Sequence, residues 1–315
     1  MYKNICYALL LVVSLFAINA NGAPMAYSVN SDSVGGDSLY LIDLDSGVDQ
    51  LRGELFNGIK THADTEGLAF APDGTLWGID DDSRTLFPIN KVSGAVSHTA
   101  EIAYLGFPAG GSNDFGMTFS CDNSLYVTSV ITRTLYKLDL AGNTTPIGSP
   151  GALNAEISAI AAIGDPTRLY GLGNGNTGSP SLYSIDINTG IATIIGPLGA
   201  VGDYNEGGLA FDSDGNLWAI TDRSLVGSGS SSQILRIDEN TGAATVVSST
   251  INEIGFESLA IAAPTDCVAD DSVPADEPVS ADEPAKIPTL SQSGRLLTIL
   301  ILLFAGMIVL RRRVS

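Results

Sequence analysis

One short phrase recurs five times along this chain: LYLIDLDSG from Leu39, LFPINKVSG from Leu86, LYKLDLAG from Leu135, LYSIDINTG from Leu182 and ILRIDENTG from Ile234. The starts lie 47, 49, 47 and 52 residues apart. Self-similarity at that period marks an array of supersecondary units rather than one continuous core. Each phrase alternates apolar and polar residues, then reaches Asp or Asn and, shortly after, Gly, which predicts a strand running into a hairpin turn. The side chain of Asp43, Asn90, Asp139, Asp186 or Asp238 can accept a backbone N–H within that turn, and the glycine can take positive φ.

A second pattern precedes the first: GLAFAPDGTLWGID from Gly67, GMTFSCDNSLYVTS from Gly116, AIAAIGDPTRLYGL from Ala159 and GLAFDSDGNLWAIT from Gly208. Each supplies two strands around a tight turn. With the strand after the glycine turn, every period holds four short strands, the content of one propeller blade. Residues 258–262 give a first strand with no second after it, and residues 25–29 a second strand with no first before it. Together they complete one more blade. The fold class expected is therefore all-β, a propeller of about five blades over residues 23–264, closed by strands from both ends so that no sheet edge stays free. Tyr27, Trp77, Tyr126, Tyr170 and Trp218 occupy matching second-strand places, where repetition favours packing between blades over a stacking platform for substrate.

Both ends of the chain read as targeting segments. Lys3 precedes an apolar run from Ala8 to Ile18 and small residues, a secretory signal peptide over residues 1–22. Residues 265–286 are TDCVADDSVPADEPVSADEPAK, too poor in large apolar residues to bury a core and extended by proline and charge repulsion, hence an acidic, disordered linker. Residues 296–310 are continuously apolar or small and end in Arg311, Arg312 and Arg313, a membrane stop with its cytoplasmic side at the arginines. Fifteen residues at about 1.5 Å rise fall short of the ~30 Å hydrocarbon core, so this transmembrane helix would be a short one.

The formal charge is −20, and between residues 23 and 264 there are 28 Asp and Glu against 9 Lys and Arg. Such a surface repels phosphate backbones, which excludes nucleic acid as a partner. Once a signal peptide carrying Cys6 is removed, Cys121 and Cys267 remain, an even pair in a compartment that permits disulfides; a bridge and two free thiols both stay open.

An acid stands just before the first strand of every blade: Glu66, Asp114, Glu156, Glu206 and Glu257. That strand lines the channel of a propeller, so these carboxylates form a candidate ring for a cation or ligand at one mouth. Calcium, which takes oxygen ligands, is the ion such a ring would hold. Glu66 and Glu257 lie two residues before their aligned Leu, Asp114 and Glu206 lie three before theirs, and Glu156 is ambiguous because its blade carries an apparent insertion; in an extended strand an offset of one reverses side-chain direction. The alternative is carboxylates bonded to loop N–H groups or simply solvated. His62, in THADTEG beside Asp64 and Glu66, is the histidine placed where a general base would be useful, although no nucleophile motif accompanies it. DSDGN from Asp212 lacks the twelfth-position Glu of a calcium loop and reads as a hairpin turn, and Asp80, Asp81 and Asp82 read as a solvated loop tip.

The tail beginning Ile287, Pro288, Thr289, Leu290 and continuing SQSG, with an apolar stretch and an arginine cluster behind it, resembles the IPTL-CTERM bacterial sorting signal, related to tails handled by exosortase-type systems. That resemblance implies export, membrane retention and cleavage by a sorting or processing protease near Pro288. The blades resemble secreted bacterial propellers with LYxIDxxTG repeats. The expected function is an exported, surface-displayed binding or structural module of the bacterial envelope or matrix, with an envelope glycan or protein as partner. The alternative is a polysaccharide-active hydrolase or lyase that uses channel carboxylates.

Overall fold

The computed structural model describes residues 23–31, 36–103, 114–175, 180–224 and 229–267. The expected signal peptide, nearly all of the linker, and the sorting tail with its membrane segment lie outside those residues. Among the described residues no helix is long and apolar enough to cross a membrane.

The described chain is a five-bladed β-propeller. The closing blade opens with β1 (Met25–Val29), β2 (Ser38–Asp43) and β3 (Asp49–Glu54). The first complete blade is β4 (Thr65–Phe70), β5 (Leu76–Asp80), β6 (Thr85–Ile89) and β7 (Ile102–Ala103); the second is β8 (Met117–Phe119), β9 (Leu125–Ser129), β10 (Thr134–Leu138) and β11 (Thr144–Ile147). The third is β12 (Ile157–Ile163), β13 (Arg168–Gly173), β14 (Ser181–Ile185) and β15 (Ala192–Pro197), and the fourth is β16 (Gly207–Phe211), β17 (Leu217–Thr221), β18 (Gln233–Ile237) and β19 (Ala244–Ser249). Each complete blade is an antiparallel meander with its strands in chain order. The closing blade gains its innermost strand from the far end of the chain: Tyr27 bridges Ala260 and Asn30 bridges Phe256.

The recurrent phrase is the third strand and its turn. In all five copies the Asp or Asn Oδ1 accepts the N–H two residues on, at 2.8–3.0 Å. Gly47, Gly94, Gly142, Gly190 and Gly242 then take φ between +69° and +88°. The turn chemistry is thus repeated along with the fold. Asp212 does the same in its hairpin, accepting from Asp214 N–H and Asn216 N–H and also from the Trp218 indole at 2.8 Å.

The apolar residues gather into five clusters among the described residues, one for each junction between consecutive blades. Tyr170 of the third blade meets Phe211 of the fourth edge-to-face at 5.6 Å between centroids, and Tyr27 of the closing blade meets Phe70 of the first at 5.9 Å. Trp218 is buried between the fourth and closing blades. The repeated aromatics therefore fill blade interfaces, the geometry in which edge-to-face pairs add to plain burial.

Close to the axis the innermost strands come too near for side chains. A Cβ on Gly116 would lie 2.8 Å from the Ala159 Cα, and one on Gly208 would lie 2.2 Å from the Leu259 N. At one end the channel is covered by residues 261–265, which sit against Phe70, Phe119, Ala162 and Phe211 at the far ends of the inner strands. The Gly164 N–H donates to the Thr265 carbonyl at 3.0 Å, and Cys267 is bonded to Cys121 with Cα atoms 5.5 Å apart. The first three residues assigned to the linker, Thr265, Asp266 and Cys267, consequently belong to the folded body, held there by that bond.

Candidate functional site

The opposite mouth is where the acids stand. β4 carries a bulge between Thr65 and Gly67 that leaves Glu66 as the extra residue. A bulged residue departs from the strict alternation of a strand, and bulges re-aim side chains at functional sites. In the fourth blade Asn205 and Glu206 both face Asp222, since Asn205 N–H donates to the Asp222 carbonyl at 2.9 Å and Asp222 N–H to the Glu206 carbonyl at 2.8 Å. These irregularities absorb the one-residue difference in offset that would otherwise have sent neighbouring acids in opposite directions.

The result is that carboxylate oxygens of Glu66, Glu206 and Glu257 all lie within 4.8 Å of one another. Glu66 and Glu257 are buried and Glu206 is partly so. Asp114 joins the group by sharing a hydrogen bond with the Glu206 carboxyl. Glu66 also accepts the Phe115 N–H at 3.0 Å. Burial first, and then the charges of Asp114, Glu257 and Glu206, hold the Glu66 carboxyl well above the usual carboxylate range. Burial followed by Glu257 and Asp114 pushes Glu206 up to about 11. Like charges this close in a desolvated place cannot all ionise, so without a counter-cation the group keeps protons.

Glu156, expected in the same ring, is not part of it. β12 has its bulge between Ile157 and Ala159, so Ser158 is the third blade's counterpart of Glu66 and Glu156 the counterpart of Asp64. From that outer position Glu156 pairs with Arg133. Ser158 was missed by the search for acids. Its signal lay in the alignment of AIAA at Ala159 with GLAF at Gly67, which sets Ser158 under Glu66. Ser158 lines the same narrow cavity as Glu66, Gly207 and Glu257.

His62 is enclosed rather than presented. Its Nε2 lies 3.0 Å from Glu101 Oε1, its Nδ1 3.5 Å from Asp80 Oδ2, and its ring stacks on Phe87 with centroids 4.1 Å apart. With both ring nitrogens engaged and the ring buried, it ties together three stretches of the first blade and has no open side for a substrate. The loop tip expected to be solvated is largely buried too: Asp80 and Asp81 are inside and Asp82 alone is exposed. The reason is local pairing. Burial by itself would raise the Asp80 carboxyl, but hydrogen bonds from His62 and Ser83 hold it below its ordinary range. Nearby, Asp37 accepts the Thr65 N–H at 2.6 Å through Oδ2, and burial pushes its carboxyl up to about 8.

Fold and site together define a five-bladed β-propeller with a carboxylate-lined channel mouth at one end and a disulfide-pinned plug at the other. No family model matches the chain, and no curated protein matches it in sequence. Solved structures do resemble it. A structural-genomics protein of unknown function from Bacteroides thetaiotaomicron VPI-5482 has 13% identity and a TM-score of 0.44, covering 62% of this chain and 53% of that one. A gluconolactonase, XC5397 from Xanthomonas campestris, has 14% identity and a TM-score of 0.44, covering 76% and 80%. Virginiamycin B lyase from Staphylococcus aureus has 16% identity and a TM-score of 0.39, covering 72% and 70%. Each is a resemblance at low identity and assigns no chemistry to this chain.

Proposed function

We propose that this propeller is an exported binding or structural module, displayed at the bacterial surface or in its matrix on the acidic linker, with the IPTL-type tail as its sorting signal. The observation that carries the reading is the disulfide that closes the folded body. Cys267 is bonded to Cys121 across a sequence separation of 146 residues. Disulfides form and persist in exported, oxidising surroundings, which is the environment a surface-displayed chain would meet.

The enzymatic alternative is disfavoured by room. The cavity bordered by Glu66, Ser158 and Glu257 holds only about 10 Å³, against roughly 300 to 1,000 Å³ for pockets that enclose small organic ligands. A sugar ring does not fit in that cavity without opening the blades. The partner suggested is an envelope glycan or protein that meets the outer surface, not a substrate threaded into the channel.

Surface labelling of intact cells with a membrane-impermeant reagent tests the proposal on the full chain. The wild-type protein should be labelled, and a variant with alanine at Ile287, Pro288, Thr289 and Leu290 should accumulate in the membrane fraction. Recovery of the wild-type chain wholly from the cytoplasm, with its first 22 residues retained, would overturn it.

A further inference from the structure

The channel mouth contains one group that the acids do not explain. Ser158 is 4% exposed, and its Oγ has no hydrogen-bond partner. Buried hydroxyls are ordinarily satisfied, so an unsatisfied one in a native site calls for a missing partner. As the bulged residue of β12 it occupies the level of Glu66 and borders the same cavity. A hydroxyl oxygen without a donor to accept from, beside three converging carboxylates, is a set of oxygen ligands waiting for a positive centre.

We propose that the channel mouth binds a hard divalent cation of calcium's size through Glu66, Glu206, Glu257 and Ser158. The spacing fits: two oxygens each about 2.4 Å from a calcium ion stand at most about 4.8 Å apart, and the three glutamates have oxygens within 4.8 Å of one another. The donor set is oxygen alone, which suits calcium and does not suit zinc, whose sites draw on sulfur and imidazole. Four ligating side chains come from four different blades, and Asp114, bonded to Glu206, comes from the fifth. An ion here would therefore fasten every blade of the ring at its axis. The cavity beside the carboxylates, about 10 Å³, admits something the size of one ion or water and nothing larger. This assignment goes beyond the surface-display reading and does not depend on it, since a chain found elsewhere in the cell would still bind the ion.

The test is calcium titration of the chelator-stripped full chain by calorimetry, paired with thermal unfolding. Calcium should bind at one site and, at 100-fold excess over its dissociation constant, raise the midpoint by roughly 5 to 10 °C. Glu66→Gln with Glu257→Gln should abolish both effects while raising the midpoint of the stripped protein, because a buried amide carries none of the cost of keeping an ionisable carboxyl out of water; that rise separates loss of the site from loss of the fold. Ser158→Ala should weaken calcium affinity several-fold without lowering the stripped midpoint, as the hydroxyl makes no other bond. Glu156→Gln, outside the ring, should leave binding unchanged. No heat and no shift up to about 10 mM calcium, above the weakest range of extracellular calcium modules, would overturn the assignment. So would a calcium response that survives the double glutamine variant, or magnesium binding as tightly as calcium.

Discussion

Cys121 and Cys267 close a loop spanning a sequence separation of 146 residues. In the chain-entropy picture a cross-link of that span removes about 17 cal/mol/K from the unfolded ensemble, or about 5 kcal/mol at 25 °C. For a domain of this size each kcal/mol moves the midpoint by about 2 to 4 °C, so losing the bond lowers it by roughly 10 to 20 °C. The structure says where the loss is felt. The bond holds residues 261–265 across the channel end, and just before them lies the innermost strand that pairs with Tyr27 and closes the ring. The assay is scanning calorimetry of the Cys121→Ser, Cys267→Ser double variant beside the oxidised wild type, with the wild type in reductant as a third sample. The two samples lacking the bond should melt together, well below the oxidised protein. If the double variant melts within about 2 °C of the oxidised wild type, the bond neither restrains the unfolded chain nor holds the closure, and the reasoning fails.

Two further outcomes follow from the same geometry. Gly208→Ala places a Cβ 2.2 Å from the Leu259 backbone nitrogen, and since backbone cannot swing aside, the variant should lose about 2 kcal/mol or more in denaturant unfolding. Asp37 has its carboxyl raised from 3.8 to about 8 by burial; its favourable contribution is complete below the unfolded value and is lost as pH rises through the folded one. Asp37→Asn should therefore flatten part of the decline in melting temperature between about pH 4 and pH 8, and an unchanged pH profile would remove Asp37 as its source.

The repeated turn was readable because it is local: Asp, two or three residues, then Gly is sufficient to specify it, and five copies made the blade count plain. Closure was readable because the two incomplete patterns at residues 25–29 and 258–262 complement each other. The channel ring was only partly readable. Which acids converge depends on bulges, which shift register by one residue and leave little trace in composition; Glu156 is ambiguous in sequence because its blade carries an apparent insertion, and β12 places Ser158 at that level instead. Asp80 and Asp81 misled for a related reason. Consecutive aspartates suggest solvent, whereas here His62 comes from before β4 to meet Asp80, a tertiary contact with no signature in the local string.

The closing blade imposes an order on the life of the chain. Its outer strands are made first and its innermost strand last, since Tyr27 waits for Ala260. Until residue 260 is available, β1 keeps an unpaired edge, the condition that invites pairing with other chains. Completion and release are thereby linked: the molecule becomes self-contained only when nearly all of the folded body has been delivered, a few residues before the linker begins.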